Sequence, residues 1–252
     1  MTSDLTWLAR TSLLIGESAL RKLTKAHVMI VGMGGVGSFA AEFIARSGIG
    51  KMTIIDGDVV DPSNRNRQLP ALATNHGQPK VLIMADRLKA INPELELTAV
   101  NDFIKPEMVA LYLAQKPDYI IDAIDSITPK ITFIKQAVDS GLPLVSSMGA
   151  GAKMDPTRLK VVDISKTHTC PFAQQIRKQL KNKHQIKKGI KVVFSPEAPI
   201  KESLMLTDGS NFKKSSYGTI SYLPAVFGAT VASVVIRDLI NPDQFQHLDN
   251  QA

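Results

Sequence analysis

The chain has 252 residues, 44% of them hydrophobic, a net charge of +7 and a single cysteine, Cys170. This length and apolar content suit one large α/β domain or two small ones with a substantial core. One cysteine excludes an intramolecular disulfide framework and any zinc site that needs several cysteines. The first residues of the sequence lack the charged and apolar regions of a signal peptide, so a reducing cytoplasm is the expected compartment.

The first predicted elements lead into a turn that is rich in glycine. Apolar spacing predicts a helix over residues 13–25, with Arg10 just before it. Residues 28–31 are typical of a buried strand, and residues 38–47 of a helix. The turn between them has the sequence Gly32-Met-Gly-Gly-Val-Gly37. This order of strand, glycine turn and helix is typical of nucleotide-binding units.

The glycines of this turn predict a phosphate site. Gly32 and Gly34 allow a tight turn and a close approach of the backbone to a phosphate, while Gly37 lets the helix pack closely on the strand. The free N–H groups and the positive end of the helix would then face the phosphates. A second apolar run ends in Asp56, 24 positions after Gly32, where a carboxylate suits a hydrogen bond to a ribose hydroxyl. A merely tight structural turn is the alternative interpretation.

Strands and helices then alternate along the chain. Helices are predicted over residues 79–91, 106–115 and 129–140, and strands over residues 51–56, 94–100, 119–125 and 142–147. This alternation predicts an α/β fold with a Rossmann-like, doubly wound, mostly parallel sheet. Its ligand site is expected at the carboxyl ends of the strands.

The pattern changes after residue 147, which predicts one domain with two parts. Residues 1–147 form a nucleotide-binding core, and residues 148–252 form a part that binds substrate or RNA and supports a dimer. This second part includes a predicted strand over residues 158–164, a basic helix that begins near Cys170, and a strand over residues 189–195. These elements are expected to extend the sheet at its C-terminal side.

Two further segments of the second part have distinctive compositions. Residues 196–217 mix proline, serine, glycine and lysine, so we expect a mobile lid region there. Residues 219–236 are the most apolar run, but they include Pro224 and Gly228 and are shorter than the roughly 20 residues that a membrane span needs. A buried helix or a dimer face is therefore expected rather than membrane contact.

Several polar side chains are expected to converge at the ligand edge of the sheet, namely Asp56, Asn64, Arg67, Gln68, Lys80 and Asp125. A hydride-transferring enzyme has little use for Arg67 and Lys80 beside phosphates. Attack on a triphosphate needs such cations, because charge builds on the leaving pyrophosphate. Mg²⁺ typically takes one or two protein carboxylates, and Asp125 is the first choice for that role. Asp122 is the second choice, and its alternative role is to cap the helix near Pro129 or to hold a loop.

Five sequence blocks of this half resemble a known family. They are Gly32-Met-Gly-Gly-Val-Gly37, Asp56-Gly-Asp58, Ser63-Asn-Arg-Asn-Arg-Gln68, Gly77-Gln-Pro-Lys80 and Asp122-Ala-Ile-Asp125-Ser. In this order they resemble the ubiquitin-activating-enzyme-like superfamily, which includes the MoeB and ThiF adenylyltransferases. The resemblance covers the chain from Arg10 to about Ser147. Members of this family adenylate a carboxylate, so that a carboxyl oxygen attacks the α-phosphate of ATP and pyrophosphate leaves.

The resemblance implies a role for each matching residue. Arg10 would reach into the site of the partner subunit of a homodimer. Arg67 and Lys80 would bind phosphates, and Asp125 would bind Mg²⁺. The implied nucleotide ligands are Gly32, Gly34, Gly35, Gly37, Asp56, Asp58, Ser63, Asn64, Gln68 and Asp122. The resemblance therefore implies ATP and Mg²⁺ as cofactors.

The second half of the chain narrows the resemblance. MoeB- and ThiF-like members carry paired Cys-x-x-Cys zinc ligands, which a chain with one cysteine cannot have. Residues 149–156, the block Val162-Asp-Ile-Ser-Lys-Thr167 and the basic helix resemble instead the tRNA threonylcarbamoyladenosine dehydratase branch. Its members adenylate the threonyl carboxylate of N6-threonylcarbamoyladenosine, next to the tRNA anticodon, and the side chain then closes into a cyclic form. Ring closure by a nitrogen of the same side chain needs no enzyme thiol.

A basic window supports a nucleic-acid partner. Residues 174–191 contain seven cations and no acid, namely Arg177, Lys178, Lys181, Lys183, Lys187, Lys188 and Lys191. Phosphate contacts dominate affinity for nucleic acids, so RNA contact is the hypothesis and a solvated helix face is the alternative. Cys170, at the start of the same helix, is interpreted as a partly buried structural thiol rather than as a nucleophile.

Two other hypotheses about function stay open at the level of sequence. An activator of a ubiquitin-like sulfur carrier shares the first half of the pattern, and sulfur-transfer proteins would then be partners. The missing Cys-x-x-Cys pairs count against this function. A nicotinamide-dependent dehydrogenase or a nucleotide-sensing RNA-binding protein is the third hypothesis, because Asp56 suits either nucleotide.

Overall fold

The computed structural model describes residues 5–206 and 215–241. Within these ranges the α-helices are α1 (Ala9–Ile15), α2 (Glu17–Leu23), α3 (Gly37–Arg46), α4 (Lys80–Ile91), α5 (Pro106–Leu113), α6 (Ile127–Asp139), α7 (Pro171–His184) and α8 (Tyr222–Ile240). The strands are β1 (His27–Val31), β2 (Lys51–Ile55), β3 (Glu96–Val100), β4 (Tyr119–Asp122), β5 (Leu144–Ser147), β6 (Lys160–Asp163), β7 (Lys191–Phe194), β8 (Leu204–Leu206) and β9 (Ser215–Tyr217).

One sheet of the described chain has seven strands in the order β3-β2-β1-β4-β5-β7-β6. Its neighbouring strands are parallel except for β6 and β7, which pair antiparallel. The strand order reverses beside β1, because the chain runs first to β2 and β3 and later returns to β4 on the other side. Ligands of open α/β sheets bind in the crevice at such a reversal. The prediction of a doubly wound, mostly parallel α/β sheet is confirmed.

The sheet has a hydrophobic core on each face, because successive strand residues point to opposite sides. Val28 and Ile30 of β1 belong to a core that also contains buried residues of α3, α4 and α8. Met29 and Val31 belong to a second core with buried residues of α5, α6 and α7. A parallel sheet covered on both faces needs strands that are buried throughout, and all of β1 is buried.

Two predicted boundaries differ from the structure in ways that matter for the site. The single helix predicted over residues 13–25 is wrong, because α1 and α2 are separate helices on either side of Gly16. Gly16 has a φ of 81° and a ψ of 156°, which a continuous α-helix cannot contain. The strand predicted over residues 119–125 ends earlier, since β4 stops at Asp122. Asp125 therefore lies in a loop beyond the strand end.

The most apolar run forms α8, which packs against the core beside α3. Leu223, Phe227 and Val231 are fully buried in it. Its Asp238 accepts hydrogen bonds from the Tyr119 hydroxyl at 2.6 Å and from Lys191 Nζ at 2.7 Å, which tie the helix to β4 and β7. In the described chain α8 is the one helix long and apolar enough to cross a membrane, with a mean hydropathy of 1.7. Its buried side chains match the predicted core helix.

The region predicted as a lid, residues 196–217, is described in part. β8 and β9 pair antiparallel, with Leu204 opposite Tyr217. Residues 207–214 lie outside the described residues, so the lid stays a prediction. On the site side, Asn66 Nδ2 donates to the Thr219 carbonyl at 2.9 Å, which joins the loop before α4 to the segment that leads into α8.

The junction between β1 and α3 depends on two glycines. Gly32 has a φ of 94°, which side chains rarely adopt. A Cβ atom at Gly37 would lie 1.8 Å from the Gly32 carbonyl oxygen, so only glycine permits this approach of helix to strand. The prediction that Gly37 lets the helix pack closely on the strand is therefore consistent with the geometry.

Gly37→Ala should destabilise the protein, because the added methyl group meets backbone atoms that cannot move independently. We expect a loss at or above the roughly 1–3 kcal/mol typical of overpacking, and a melting temperature that falls by several degrees. Gly34→Ala is the matched control, since the nearest atom to a Cβ there is 3.9 Å away. Thermal unfolding of both variants measures the difference, and an unchanged melting temperature for Gly37→Ala would contradict the packing argument.

Candidate active site

The carboxyl ends of β1, β2 and β4 surround a cavity of about 480 Å³, a size typical of small-molecule sites. Nine of the predicted residues line it, namely Gly32, Gly34, Asp56, Asp58, Asn64, Arg67, Gln68, Lys80 and Asp125. Asp102, Phe103 and Ile104 also line it, and the sequence pattern did not single these out. They follow the edge strand β3, and no local motif marks them.

Asp56 ties the end of β2 to the glycine turn. One of its carboxylate oxygens accepts a hydrogen bond from the backbone N–H of Met33, and the other accepts one from Asp58 at 2.7 Å. Burial raises the pKa of Asp56, and the nearby Lys80 ammonium opposes this rise. The predicted ribose ligand therefore also shapes the turn that would hold the phosphates.

Lys80 brings a buried cation to the cavity. It is the first residue of α4, its side chain is 5% exposed, and its Nζ atom lies 3.0 Å from Asp58 Oδ2. Its backbone N–H donates to the Asp58 carbonyl at 3.0 Å, so the pairing is fixed at both the main chain and the side chain. A lysine held in this way needs little rearrangement to meet a phosphate.

The loop before α4 places Asn64 and Arg67. Asp61 and Asn64 cap a short 3-10 turn reciprocally, because Asp61 accepts from the Ser63 N–H and Asn64 accepts from the Asp61 N–H at 3.1 Å. Arg67 donates to the Ser63 carbonyl at 2.9 Å. Burial lowers the pKa of Arg67, and the charge of Asp125 opposes this effect. The guanidinium is therefore oriented on the cavity wall with a carboxylate nearby.

Gln68 leaves a buried acceptor without a partner in the described chain. Its Oε1 atom is buried and receives no hydrogen bond. Buried polar atoms in folded proteins are nearly always paired, so an unpaired one on a cavity wall indicates a donor that a ligand or water supplies. This observation fits a polar ligand such as a nucleotide.

The two candidate magnesium ligands lie in different surroundings. Asp125 is exposed and lines the cavity. Asp122 is fully buried and pairs with Lys130, whose Nζ atom lies 2.8 Å from its carboxylate. Burial lowers the pKa of Lys130, and the adjacent Asp122 carboxylate opposes this shift. Of the roles weighed for Asp122, the loop-holding one matches this geometry, and the sequence analysis missed Lys130.

Other predicted site residues lie outside the cavity lining. Gly35 lies against Pro224, because a Cβ atom at Gly35 would lie 3.0 Å from that side chain. The Ser63 hydroxyl donates to Asp61 and serves the 3-10 turn. Gly37 and Asp122 are buried, and Arg10 is exposed on α1. Within one subunit these residues therefore do not contact the cavity.

A magnesium nucleotide fits the donor set. In the described ranges no group of three or more His, Cys, Asp or Glu side chains could hold a metal ion. Mg²⁺ that is bound mainly by phosphate oxygens and water needs only one or two carboxylates. Asp125 is an exposed carboxylate on the cavity wall, so it can contact a nucleotide bound in the cavity.

The basic window lies on α7 and the loop after it. Ala173, Ile176 and Leu180 form the buried face of the helix. Its outer face and the following loop expose five lysines, namely Lys178, Lys181, Lys183, Lys187 and Lys188. This arrangement makes one continuous stretch of chain strongly basic.

Two residues of the window have partners within the protein. Lys191, on β7, donates to Asp238 and is half-buried. Arg177 donates to both the carbonyl and the hydroxyl of Thr167. Their predicted role in RNA binding is therefore less favoured than that of the five exposed lysines. Cys170 is buried, more completely than the sequence analysis expected.

A model of the ThiF family matches residues 8–251. The chain is 40% identical over 250 residues to the tRNA threonylcarbamoyladenosine dehydratase of Bacillus subtilis strain 168, covering 96% of this chain and 98% of that protein. It is 39% identical over 246 residues to the protein of the same name from Escherichia coli K12, covering 91% and 92%.

A solved structure gives the same result. The crystal structure of the Escherichia coli tRNA N6-threonylcarbamoyladenosine dehydratase in complex with ATP matches with a TM-score of 0.88 and 38% identity. The match covers 98% of this chain and 99% of that chain. The chain therefore belongs to the ThiF family and, within it, to the tRNA threonylcarbamoyladenosine dehydratases.

Proposed function

We propose that this protein uses ATP to dehydrate N6-threonylcarbamoyladenosine next to the anticodon of tRNA. The observation that carries this proposal is the convergence of Arg67, Lys80 and Asp125 with the glycine turn around one cavity. The names of the two bacterial relatives support the tRNA substrate, and the complex of the Escherichia coli protein with ATP supports the nucleotide.

The first step is adenylation of the threonyl carboxylate. A carboxylate oxygen attacks the α-phosphorus of ATP, the bond to the bridging oxygen breaks, and pyrophosphate leaves with that bonding pair. Arg67 and Lys80 bind the phosphates and stabilise the charge that develops on them. Both cations are already held by hydrogen bonds in a partly buried wall, so little reorganisation is needed during the reaction.

The second step closes the ring. A nitrogen of the threonylcarbamoyl side chain attacks the activated acyl carbon and loses its proton, and AMP leaves with one former carboxylate oxygen. The modified nucleoside thus loses the elements of water. An intramolecular attack of this kind benefits from effective molarities that reach about 10⁵ M or more. No enzyme thiol is required, which is consistent with the burial of Cys170.

Mg²⁺ belongs to this proposal as the ion that neutralises charge on the triphosphate. Asp125 would hold it, because this carboxylate is exposed on the cavity wall and follows the strand end beside the glycine turn. Asp56 and Gln68 would bind the nucleoside part, with the unpaired Gln68 Oε1 accepting a hydrogen bond from it.

A homodimer completes the site in our proposal. Arg10, Leu13 and Leu14 occupy positions i, i+3 and i+4 of α1, so they share one helix face. Leu13 is 88% exposed and Leu14 is 85% exposed, which is unusual for leucines. An apolar patch around an exposed arginine suits a face that packs on a partner subunit and delivers the arginine to its site.

The exposed lysines of α7 and its following loop form the proposed tRNA-binding surface. Lysine contacts to phosphates are independent of sequence and depend strongly on salt. In the same proposal the two parts of the chain form one domain, which the pairing of β5 of residues 1–147 with β7 of residues 148–252 supports. A cytoplasmic location completes the proposal. Sulfur-transfer proteins would be partners under the alternative function, the activation of a ubiquitin-like sulfur carrier.

Arg67→Ala and Lys80→Ala should each slow adenylation strongly while leaving the fold intact. Removing one charged transition-state contact typically costs about 10²–10³ in kcat. Release of AMP and pyrophosphate in the presence of threonylcarbamoylated tRNA is the measurement, with the melting temperature as the check on folding. Arg65→Ala is the matched control, since Arg65 is exposed two positions from Arg67 and lines no part of the cavity. Full activity in the two site variants would refute the proposed phosphate contacts.

Mixing two inactive variants tests whether Arg10 acts on the partner subunit. In a heterodimer of Arg10→Ala and Lys80→Ala chains, one site has both residues intact if Arg10 acts in trans. A re-equilibrated equal mixture should then regain about a quarter of wild-type activity, because half of the dimers carry one good site. Arg10→Ala mixed with itself is the control. No recovery in the mixture would place Arg10 in the site of its own subunit, whereas an active Arg10→Ala variant would place it outside catalysis.

Replacing Lys181, Lys183, Lys187 and Lys188 by glutamine should weaken tRNA binding and flatten its salt dependence. The slope of log affinity against log salt should fall by roughly 0.7–0.9 for each phosphate contact that is lost. The control variant replaces Lys25, Lys89, Lys116 and Lys135, which gives the same change in net charge. Equal slopes for the two variants would show that the window is ordinary solvated surface.

A further inference from the structure

A fully buried ion pair lies beneath the wall of the cavity. The Nζ atom of Lys130, in α6, lies 2.8 Å from Asp122 Oδ2, and both side chains have no exposed surface. Ser146 of β5 donates its hydroxyl to the same carboxylate oxygen at 2.7 Å. The ring of Phe172, in the first turn of α7, has its centroid 5.7 Å from the ammonium. Residues from two strands and two helices therefore meet at this pair.

The ion pair binds both polar groups of the Ile124 backbone, its N–H and its carbonyl. Asp122 Oδ1 accepts a hydrogen bond from the Ile124 N–H at 3.0 Å, and Lys130 Nζ donates to the Ile124 carbonyl at 3.0 Å. Backbone polar groups that are removed from water need such partners. At Ile124 the two charged side chains supply them. The position of this loop therefore depends on the two charged groups.

The loop held in this way is part of the cavity wall. Ala123, Ile124, Asp125 and Ser126 all line the cavity. The loop also meets the glycine turn, because a Cβ atom at Gly32 would lie 2.8 Å from the Ala123 carbonyl oxygen. A shift of Ile124 would therefore move Asp125 relative to the turn that binds the phosphates.

Stability alone is a weak explanation for this pair. Two buried charges lose their hydration, and well-packed apolar residues in their place are often as stable or more so. An apolar side chain at position 130 would carry no charge that loses its hydration. It would not donate a hydrogen bond to the Ile124 carbonyl, and that is the feature of Lys130 that bears on the cavity.

We propose that Lys130 is a positioning residue, which acts through Ile124 to fix the loop that presents Asp125 to the nucleotide. Lys130 is not among the residues that line the cavity, so its effect runs through the loop. The inference rests on the proposed function, because it uses the assignment of Asp125 to the magnesium nucleotide.

Two variants separate this role from a purely structural one. Lys130→Met keeps much of the side-chain volume and leaves Asp122 as a buried charge without its cation, so its melting temperature should fall. The double variant Asp122→Asn with Lys130→Met removes both charges and should recover most of that loss. In both variants the Ile124 carbonyl lacks its donor, so both should show the loop defect.

Amide hydrogen exchange of the nucleotide-free protein measures directly how easily the loop opens. Exchange over residues 123–126 should become faster in both variants, because local opening of the loop becomes easier.

In turnover with modified tRNA, kcat should fall about 10- to 100-fold, as expected for a misplaced group. The KM for ATP should change less than about threefold, since Arg67, Lys80 and the glycine turn still bind the phosphates. The Mg²⁺ concentration for half-maximal rate should rise.

Arg87→Met is the matched control. Arg87 pairs with Glu42 between α4 and α3, and neither residue lines the cavity. This variant should lower the melting temperature without faster exchange over residues 123–126 and without a lower kcat. A result of this kind shows that lost stability by itself does not produce the loop defect.

A double variant that regains both wild-type stability and wild-type kcat would overturn the inference. Unchanged exchange over residues 123–126 in both variants would overturn it as well. If the wild-type protein released no AMP in response to modified tRNA, the proposed function would fail separately. The exchange data and the Mg²⁺-dependent affinity for a nonhydrolysable ATP analogue would then still decide whether Lys130 positions the loop.

Discussion

The contact between Gly37 and the Gly32 carbonyl is the constraint on which the site depends. It lets α3 begin directly against the end of β1, so that the helix N-terminus opens towards the cavity. Asp56 then ties β2 to the same turn through the Met33 N–H, and the loop after β4 contacts it at Ala123. Three strand ends are therefore held around one turn by backbone contacts and by the Asp56 carboxylate, and the polar side chains that follow those strands converge.

This convergence explains how several charged side chains can line the cavity without destabilising the fold. Lys80 is buried but paired with Asp58, and Arg67 is oriented by the Ser63 carbonyl. Charged groups that already have partners lose little when a ligand replaces some of those contacts. These two cations suit a triphosphate, because they stay in place while charge moves between phosphate oxygens.

Local patterns predicted the glycine turn, the strand ends and the acids that follow them, because strand and turn signals are short in range. They did not predict that Gly16 would separate α1 from α2, because the apolar spacing of residues 13–25 continues across this glycine. The pairing of Lys130 with Asp122 also depends on packing, as does the pairing of Lys191 with Asp238. In both pairs the lysine side chain is bound by a carboxylate of another element, and the sequence alone does not show this pairing.

Helix α7 carries the proposed RNA surface on its exposed face and packs against the core beside the site with its buried face. Its exposed lysines point away from the protein, while Ile176 and Leu180 hold it in the same core as α6. Phe172, at its start, covers the ammonium of Lys130, which in turn holds the loop of the cavity wall. A polyanion bound along the outer face would therefore contact a helix whose first turn packs on Lys130, the residue that holds this loop. This geometry favours a substrate that contacts the protein well beyond the nucleotide cavity, as a tRNA does and a small carboxylate does not.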